Sequence, residues 1–240
     1  MEPYYYQTLS KAEQSSYQAM QAGLQAFAPS FPVPLLENRA LTDVFMKLRL
    51  DCPQLFYAGT FQYRYYPDSR NAELIPAYLF EKGKLKEHQK ALQARVEKLV
   101  RPVARCSDEE KLLYIHDFIC KNVRYDKLKK QYSHEIIGVL GHGVGVCEGI
   151  AKAVKILCDA LQILCIIALA ENNPERGVKY RHAWNVVRLD KKYYHLDCTF
   201  DLSLGNPEEI RYDYFLLSDK QIFRDHERLV WRVPACEDAD

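Results

Sequence analysis

The clearest pattern in the chain runs over residues 147–161, where Cys147, Ile150, Ala151, Val154, Leu157, Cys158 and Leu161 recur every three or four positions while Glu148, Lys152, Lys155 and Asp159 fall between them. That spacing predicts an amphipathic helix with one face in the core and the charged face in solvent. Directly after it, residues 163–170 form an unbroken apolar run. The run is short enough for a buried strand and far below the roughly 20 residues needed to cross a bilayer. Two further strands are expected at residues 180–189 and 192–200, on either side of a tight turn at Asp190 and Lys191. A helix followed by antiparallel strands makes this half of the chain α+β.

Ahead of it the pattern is mainly helical. Ser10 and Glu13 have capping-box spacing at the head of a helix that should end near Ala28, before Pro29, Pro32 and Pro34. A second helix is expected over residues 41–50 and a long one over 84–103, where Leu85, Leu92, Val96, Leu99 and Val100 keep helical spacing among charges. Between them, residues 55–66 and 74–80 read as a β-hairpin across a polar turn at 67–72. Ser107 and Glu110 repeat the capping-box spacing at the start of a helix reaching about Asn122, and a new unit is drawn there. Residues 1–105 are thus expected to be a mainly helical N-terminal region with a hairpin, and residues 106–240 the unit that carries the chemistry.

With 240 residues, 48% of them hydrophobic, the chain can bury a core without disulfides. Its 33 basic and 32 acidic residues leave a charge of +1 with no run of five like charges, which removes the electrostatic case for a nucleic-acid or anionic-membrane partner. The first residues, Met-Glu-Pro-Tyr-Tyr-Tyr, have neither the basic nor the apolar region of a secretory signal, so the expected location is cytoplasmic. The 8 cysteines include no CxxC pair and read as reduced thiols, mostly small core residues.

One of those thiols stands apart. Cys147 follows Gly141-His142-Gly143-Val144-Gly145-Val146, so a flexible turn delivers it to the first turn of a helix. Unpaired N–H groups and the positive end of the helix dipole favour an anion there. The position alone leaves a second reading open, in which Cys147 is the first apolar residue of the helix stripe. Phosphate binding by the glycines lacks the GxxxxGK[ST] pattern.

His182 opens one strand and Asp197 lies on the next. If the turn holds two residues, Leu189 faces Lys192 and Trp184 faces Asp197, which sets His182 and Asp197 diagonally on one face, within reach of a hydrogen bond. A three-residue turn would separate them. Tyr194, Leu196, Cys198 and Phe200 then form the core-facing row. Alone, His182 reads more readily as a histidine without a chemical role, and Trp184 more readily as a core residue than as a wall of a cleft. As a set, a thiol, an imidazole to take its proton and a carboxylate to orient the imidazole are the parts of an activated cysteine nucleophile. A zinc site built from His195, Cys198, Cys147 and His182 is disfavoured, because strand positions three apart point to opposite faces.

The strings Gly145-Val146-Cys147-Glu148-Gly149, His182-Ala183-Trp184-Asn185-Val186-Val187 and Tyr194-His195-Leu196-Asp197-Cys198-Thr199-Phe200-Asp201 resemble the three signature blocks of the transglutaminase-like superfamily in its bacterial, stand-alone form. The resemblance covers about half the chain, from Ser107 on, and the segment Tyr214-Phe215-Leu216-Leu217-Ser218-Asp219 fits the same family's tail. It implies a papain-like core with Cys147 as nucleophile, His182 as general base and Asp197 as orienter. The implied activity is cleavage or exchange of amide bonds in a peptide or protein through a thioester, with no cofactor and no metal. Trp184 is a candidate substrate-binding residue. The paired CxxC zinc ligands of the deglycosylating branch are absent, and the chain is too short for the extra β-domains of calcium-dependent crosslinkers. The rival reading is a protein-binding module on the same fold without catalysis.

Overall fold

The structure, a computed structural model, describes residues 2–205 and 208–237. It divides into two compact units at residues 90 and 91. The first contains α1 (Tyr4–Gln7), α2 (Lys11–Gln25), β1 (Phe31–Pro34), α3 (Asn38–Asp51), β2 (Ala58–Tyr65) and β3 (Asn71–Tyr78). The expected capping box closes α2, with the Ser10 N–H donating to Glu13 Oε2 at 2.8 Å. The hairpin is present as β2 and β3, but its sheet has a third strand, in the order β1-β3-β2. Strand β1 carries Pro32 and Pro34, which reads as a helix terminator; it is an edge strand, where proline costs no ladder bond. Buried Asp51 at the end of α3 accepts the N–H groups of Tyr5 and Tyr6 and the Tyr17 hydroxyl, which ties α1 and α2 to α3.

The division between units falls within α4 (Lys82–Val100). The second unit continues with α5 (Asp108–Asn122), capped by Ser107 and Glu110, and the short strand β4 (Arg124–Tyr125). Strand β4 pairs in parallel with β5 (Val144–Gly145), ahead of α6 (Cys147–Ala160). Then come β6 (Cys165–Ala170), β7 (His182–Leu189), β8 (Lys192–Leu196), α7 (Cys198–Leu204), β9 (Phe215–Leu217) and α8 (Asp219–Ile222). Strands β6 to β9 form one antiparallel sheet in sequence order, and α6 packs against β7 in its middle. The fold is α+β, with the cysteine-bearing helix laid on an antiparallel sheet. No helix among the described residues is long and apolar enough to cross a membrane.

Two sequence expectations need correction. Helix α6 is not amphipathic in place: Lys152 is 0% exposed and Lys155 9%, both on the side expected to face water. Lys152 Nζ reaches Glu135 at 2.9 Å and Glu148 at 2.7 Å, and Lys155 Nζ donates to the Cys165 carbonyl at 2.9 Å. The same periodicity fits a buried helix whose lysines find acceptors both on α6 and on the segments packed against it. The strand expected over residues 192–200 stops at Leu196, and Cys198 and Phe200 belong to α7. Asp197 is the reason, because its Oδ1 accepts the N–H groups of Thr199 at 2.8 Å and Phe200 at 3.1 Å and so caps a new helix. His195 and Cys198 therefore do not share a strand: His195 is on β8 and Cys198 begins α7.

Two glycines, Gly143 before α6 and Gly149 in its first turn, have geometric work. Gly143 adopts φ +64°, in the left-handed region. A Cβ on Gly149 would stand 2.2 Å from the Ser133 carbonyl oxygen, so only glycine lets that loop lie against the first turn of α6.

Candidate active site

Cys147 is the first residue of α6, and Val146 before it supplies no side-chain cap. The first-turn N–H groups are therefore directed at the same small volume as the thiol. The parallel pairing of β4 with β5 brings Tyr125 opposite Gly145, and its hydroxyl engages Cys147 through both the backbone N–H and the thiol. Burial, then the proximity of Cys147, pushes the Tyr125 hydroxyl up to about 12. Tyr125 was not singled out from the sequence; its only signal is its place after α5, at a strand too short to read.

The opposite wall is the sheet. The β7–β8 turn has two residues, Asp190 at φ 48° and Lys191 at φ 70°, a primed turn that pairs Leu189 with Lys192 and Asn185 with Leu196. The parity required for His182 and Asp197 to share a face is present, and His182 Nε2 lies 2.6 Å from Asp197 Oδ2. With Nε2 committed to the carboxylate, Nδ1 is the nitrogen left for the thiol, and the ring also engages Cys147. The structure thus brings Cys147, His182 and Asp197 together. Trp184 is buried, 1% exposed, so it stands behind the site rather than on a surface: its ring stacks on His182 at 5.7 Å and 17°. Its indole N–H donates to His195 Nδ1 at 2.9 Å, and His195 Nε2 meets Asp219 Oδ1 at 2.8 Å. Asn185, in the same sequence block, ties the two walls, its side-chain N–H donating to the Ala151 carbonyl of α6 at 2.9 Å.

Asp197 is wholly buried. Desolvation alone would raise its pKa, but the charge and hydrogen bond of His182, with those of His226, outweigh it and hold the carboxyl well below the usual range. For His182, burial works against the imidazolium, and the charge and hydrogen bond of Asp197, with Cys147, overcome it and push the ring up to about 10. These shifts predict a pH window for stability. The Asp197 contribution is present above its unfolded value near 3.9 and is lost as pH falls further; that of His182 is complete below about 6.5 and is lost as pH rises toward 10. Denaturant midpoints should therefore peak between about pH 4 and 6.5, and Asp197→Asn should flatten both flanks of that profile.

Among the described residues, two groups of donor atoms lie within 4.8 Å of one another, His182 with Asp197 and His226, and His195 with Asp219 and Cys236. In the first group the donors already hydrogen-bond one another, at 2.6 and 2.9 Å.

Residues 93–198 match the transglutaminase-like superfamily, to which this segment is similar. Among curated proteins none matches in sequence. Of solved structures, a TGase aligns with a TM-score of 0.38 and 12% identity over 59% of this chain and 44% of its own. A "Putative Cysteine Protease" from Cytophaga hutchinsonii aligns with a TM-score of 0.37 and 15% identity over 58% of this chain and 61% of its own. The chain therefore spans less than two thirds of either protein's length.

Proposed function

We propose that this protein is a cysteine-nucleophile amide hydrolase or acyl transferase acting on peptide or protein substrates. Cys147 is the nucleophile, His182 the acid–base group and Asp197 the residue that orients and charges it. The observation that carries the reading is the 2.6 Å contact of buried Asp197 with the ring that engages Cys147 at a helix N-terminus. His182 beside the sulfur takes its proton, and the open first turn of α6 faces the charge that forms during attack.

The thiolate attacks the carbonyl carbon of the amide, whose π electrons move to oxygen. The oxyanion forms against the Cys147 backbone N–H, the donor Tyr125 covers in the resting site. His182 then passes its proton to the amide nitrogen, the C–N bond breaks, and the amine leaves a thioester on Cys147. Water or a primary amine attacks the thioester, gives a proton to His182 and restores the thiolate. Trp184 backs the His182 ring through this cycle.

Incubation with a library of glutamine- and asparagine-containing peptides, with and without added primary amine, tests the reading by mass spectrometry. The expected result is product release with an acyl adduct on Cys147 that Cys147→Ala abolishes. Peptide binding with no turnover in either condition would favour the binding-module reading instead.

A further inference from the structure

The carboxylate that orients His182 also serves a second imidazole. Asp197 Oδ2 receives His182 Nε2 at 2.6 Å and His226 Nε2 at 2.9 Å, while Oδ1 takes the two N–H groups of α7. A carboxylate has about four lone-pair sites, so every one is occupied and the two rings draw on the same oxygen. His226 is 6% exposed, and its ring lies 5.3 Å from that of His182 at 62° and 4.8 Å from that of Trp184 at 75°. Its Nδ1 faces Asp225 Oδ1 at 2.7 Å, and Asp225 also accepts the Tyr214 hydroxyl. The Tyr214 carbonyl in turn accepts the Asp197 N–H at 2.9 Å, which closes a hydrogen-bonded ring through these four residues. Of the four, only Asp197 lies within residues 93–198.

We propose that His226 is a positioning residue that sets how strongly Asp197 holds and charges His182. The proposal rests on the catalytic reading of Cys147, His182 and Asp197. The backbone N–H groups of Thr199 and Phe200 already fix the carboxylate in place, so what His226 adds is a rival donor at Oδ2 and a wall beside the His182 ring. Without that donor the carboxylate's charge falls to His182 alone, and its imidazolium survives to higher pH. The surrounding titratable groups do not substitute for it. Burial pushes up the thiols of Cys120 on α5 and Cys198 on α7, Asp201 is bonded to His116, and His195 on β8 is turned to Asp219.

The test is a ¹⁵N NMR titration of the His182 ring in the full chain, alongside the pH profile of Cys147 alkylation. His226→Gln keeps an N–H donor of similar reach and should leave both midpoints where they are. His226→Phe fills the space without a donor and should raise the His182 midpoint by about half a pH unit or more, with the alkaline limb of alkylation moving alongside. A folded His226→Phe with an unmoved midpoint overturns the proposal, and so does a lowered midpoint, which loosening of Asp197 alone would produce. If His226→Phe does not fold, the wild type decides: a His226 whose Nε2 carries no proton overturns the proposal, and one correlated to Asp197 supports it. Should wild-type Cys147 prove no more reactive than Cys106 while the His182 midpoint still moves in His226→Phe, the catalytic reading fails and the positioning role stands.

Discussion

Asp197→Asn is expected to lower turnover by about 10²- to 10⁴-fold while leaving the protein folded. The asparagine oxygen can still accept the Thr199 and Phe200 N–H groups that start α7, so the cap survives. What is lost is the negative oxygen 2.6 Å from His182 Nε2. In its place an amide N–H₂ faces the ring, which reverses the tautomer and removes the partner of the imidazolium. Asp197→Ala is a poorer probe than the sequence suggests. It would also remove the cap, at about 0.5–2 kcal/mol, and leave His226 without its acceptor in the core. Circular dichroism with steady-state kinetics separates the two variants: both lose rate and the negative oxygen shared by His182 and His226, and Ala, which also loses the α7 cap, should melt lower than Asn.

Lys152→Met is expected to destabilise the second unit by about 3–5 kcal/mol, because it removes the cation from a buried ion pair rather than the pair itself. Lys152 Nζ holds both Glu135 oxygens at 2.9 Å, Glu148 Oε1 at 2.7 Å and the His134 carbonyl at 3.2 Å. These contacts fasten the loop before β5 to α6, the element that presents Cys147. At roughly 2–4 °C per kcal/mol for a chain of this size, the melting temperature should fall by about 6–20 °C. Adding Glu135→Leu should recover much of the loss, since a fully apolar replacement avoids the buried charge. A drop below about 1 kcal/mol in Lys152→Met would mean that the pair is solvated in solution.

The history of these residues shows where sequence reading succeeds. Both long-helix capping boxes, at Ser10 and Ser107, were legible because they are local bonds between residues three apart. The meeting of His182 with Asp197 was legible because strand parity and a two-residue turn decide it, even though the strand ends one residue before Asp197. The end of that strand was not legible, since an aspartate in an apolar row reads as a strand residue until its cap bonds are seen. Neither was the burial of Lys152, whose partner Glu135 lies outside the helix and is brought to it by the loop fold. His226 and Tyr125 reach the site across 29 and 22 residues from Asp197 and Cys147, with no periodic signal to connect them.

All 8 cysteines are free, so the alkylation of Cys147 as a nucleophile can be compared directly with that of the others. Cys158 is a lenient control, because it is 0% exposed and its hydrogen bond with Cys165, then burial, raises its thiol. Cys106, part-exposed like Cys147, is the stringent one. The decisive measurement is the iodoacetamide rate of each thiol by peptide mapping at pH 6. Cys147 should react at least about 10-fold faster than Cys106, and Asp197→Asn should abolish the difference. Equal rates for Cys147 and Cys106 in the folded wild-type protein would contradict the nucleophile role of Cys147.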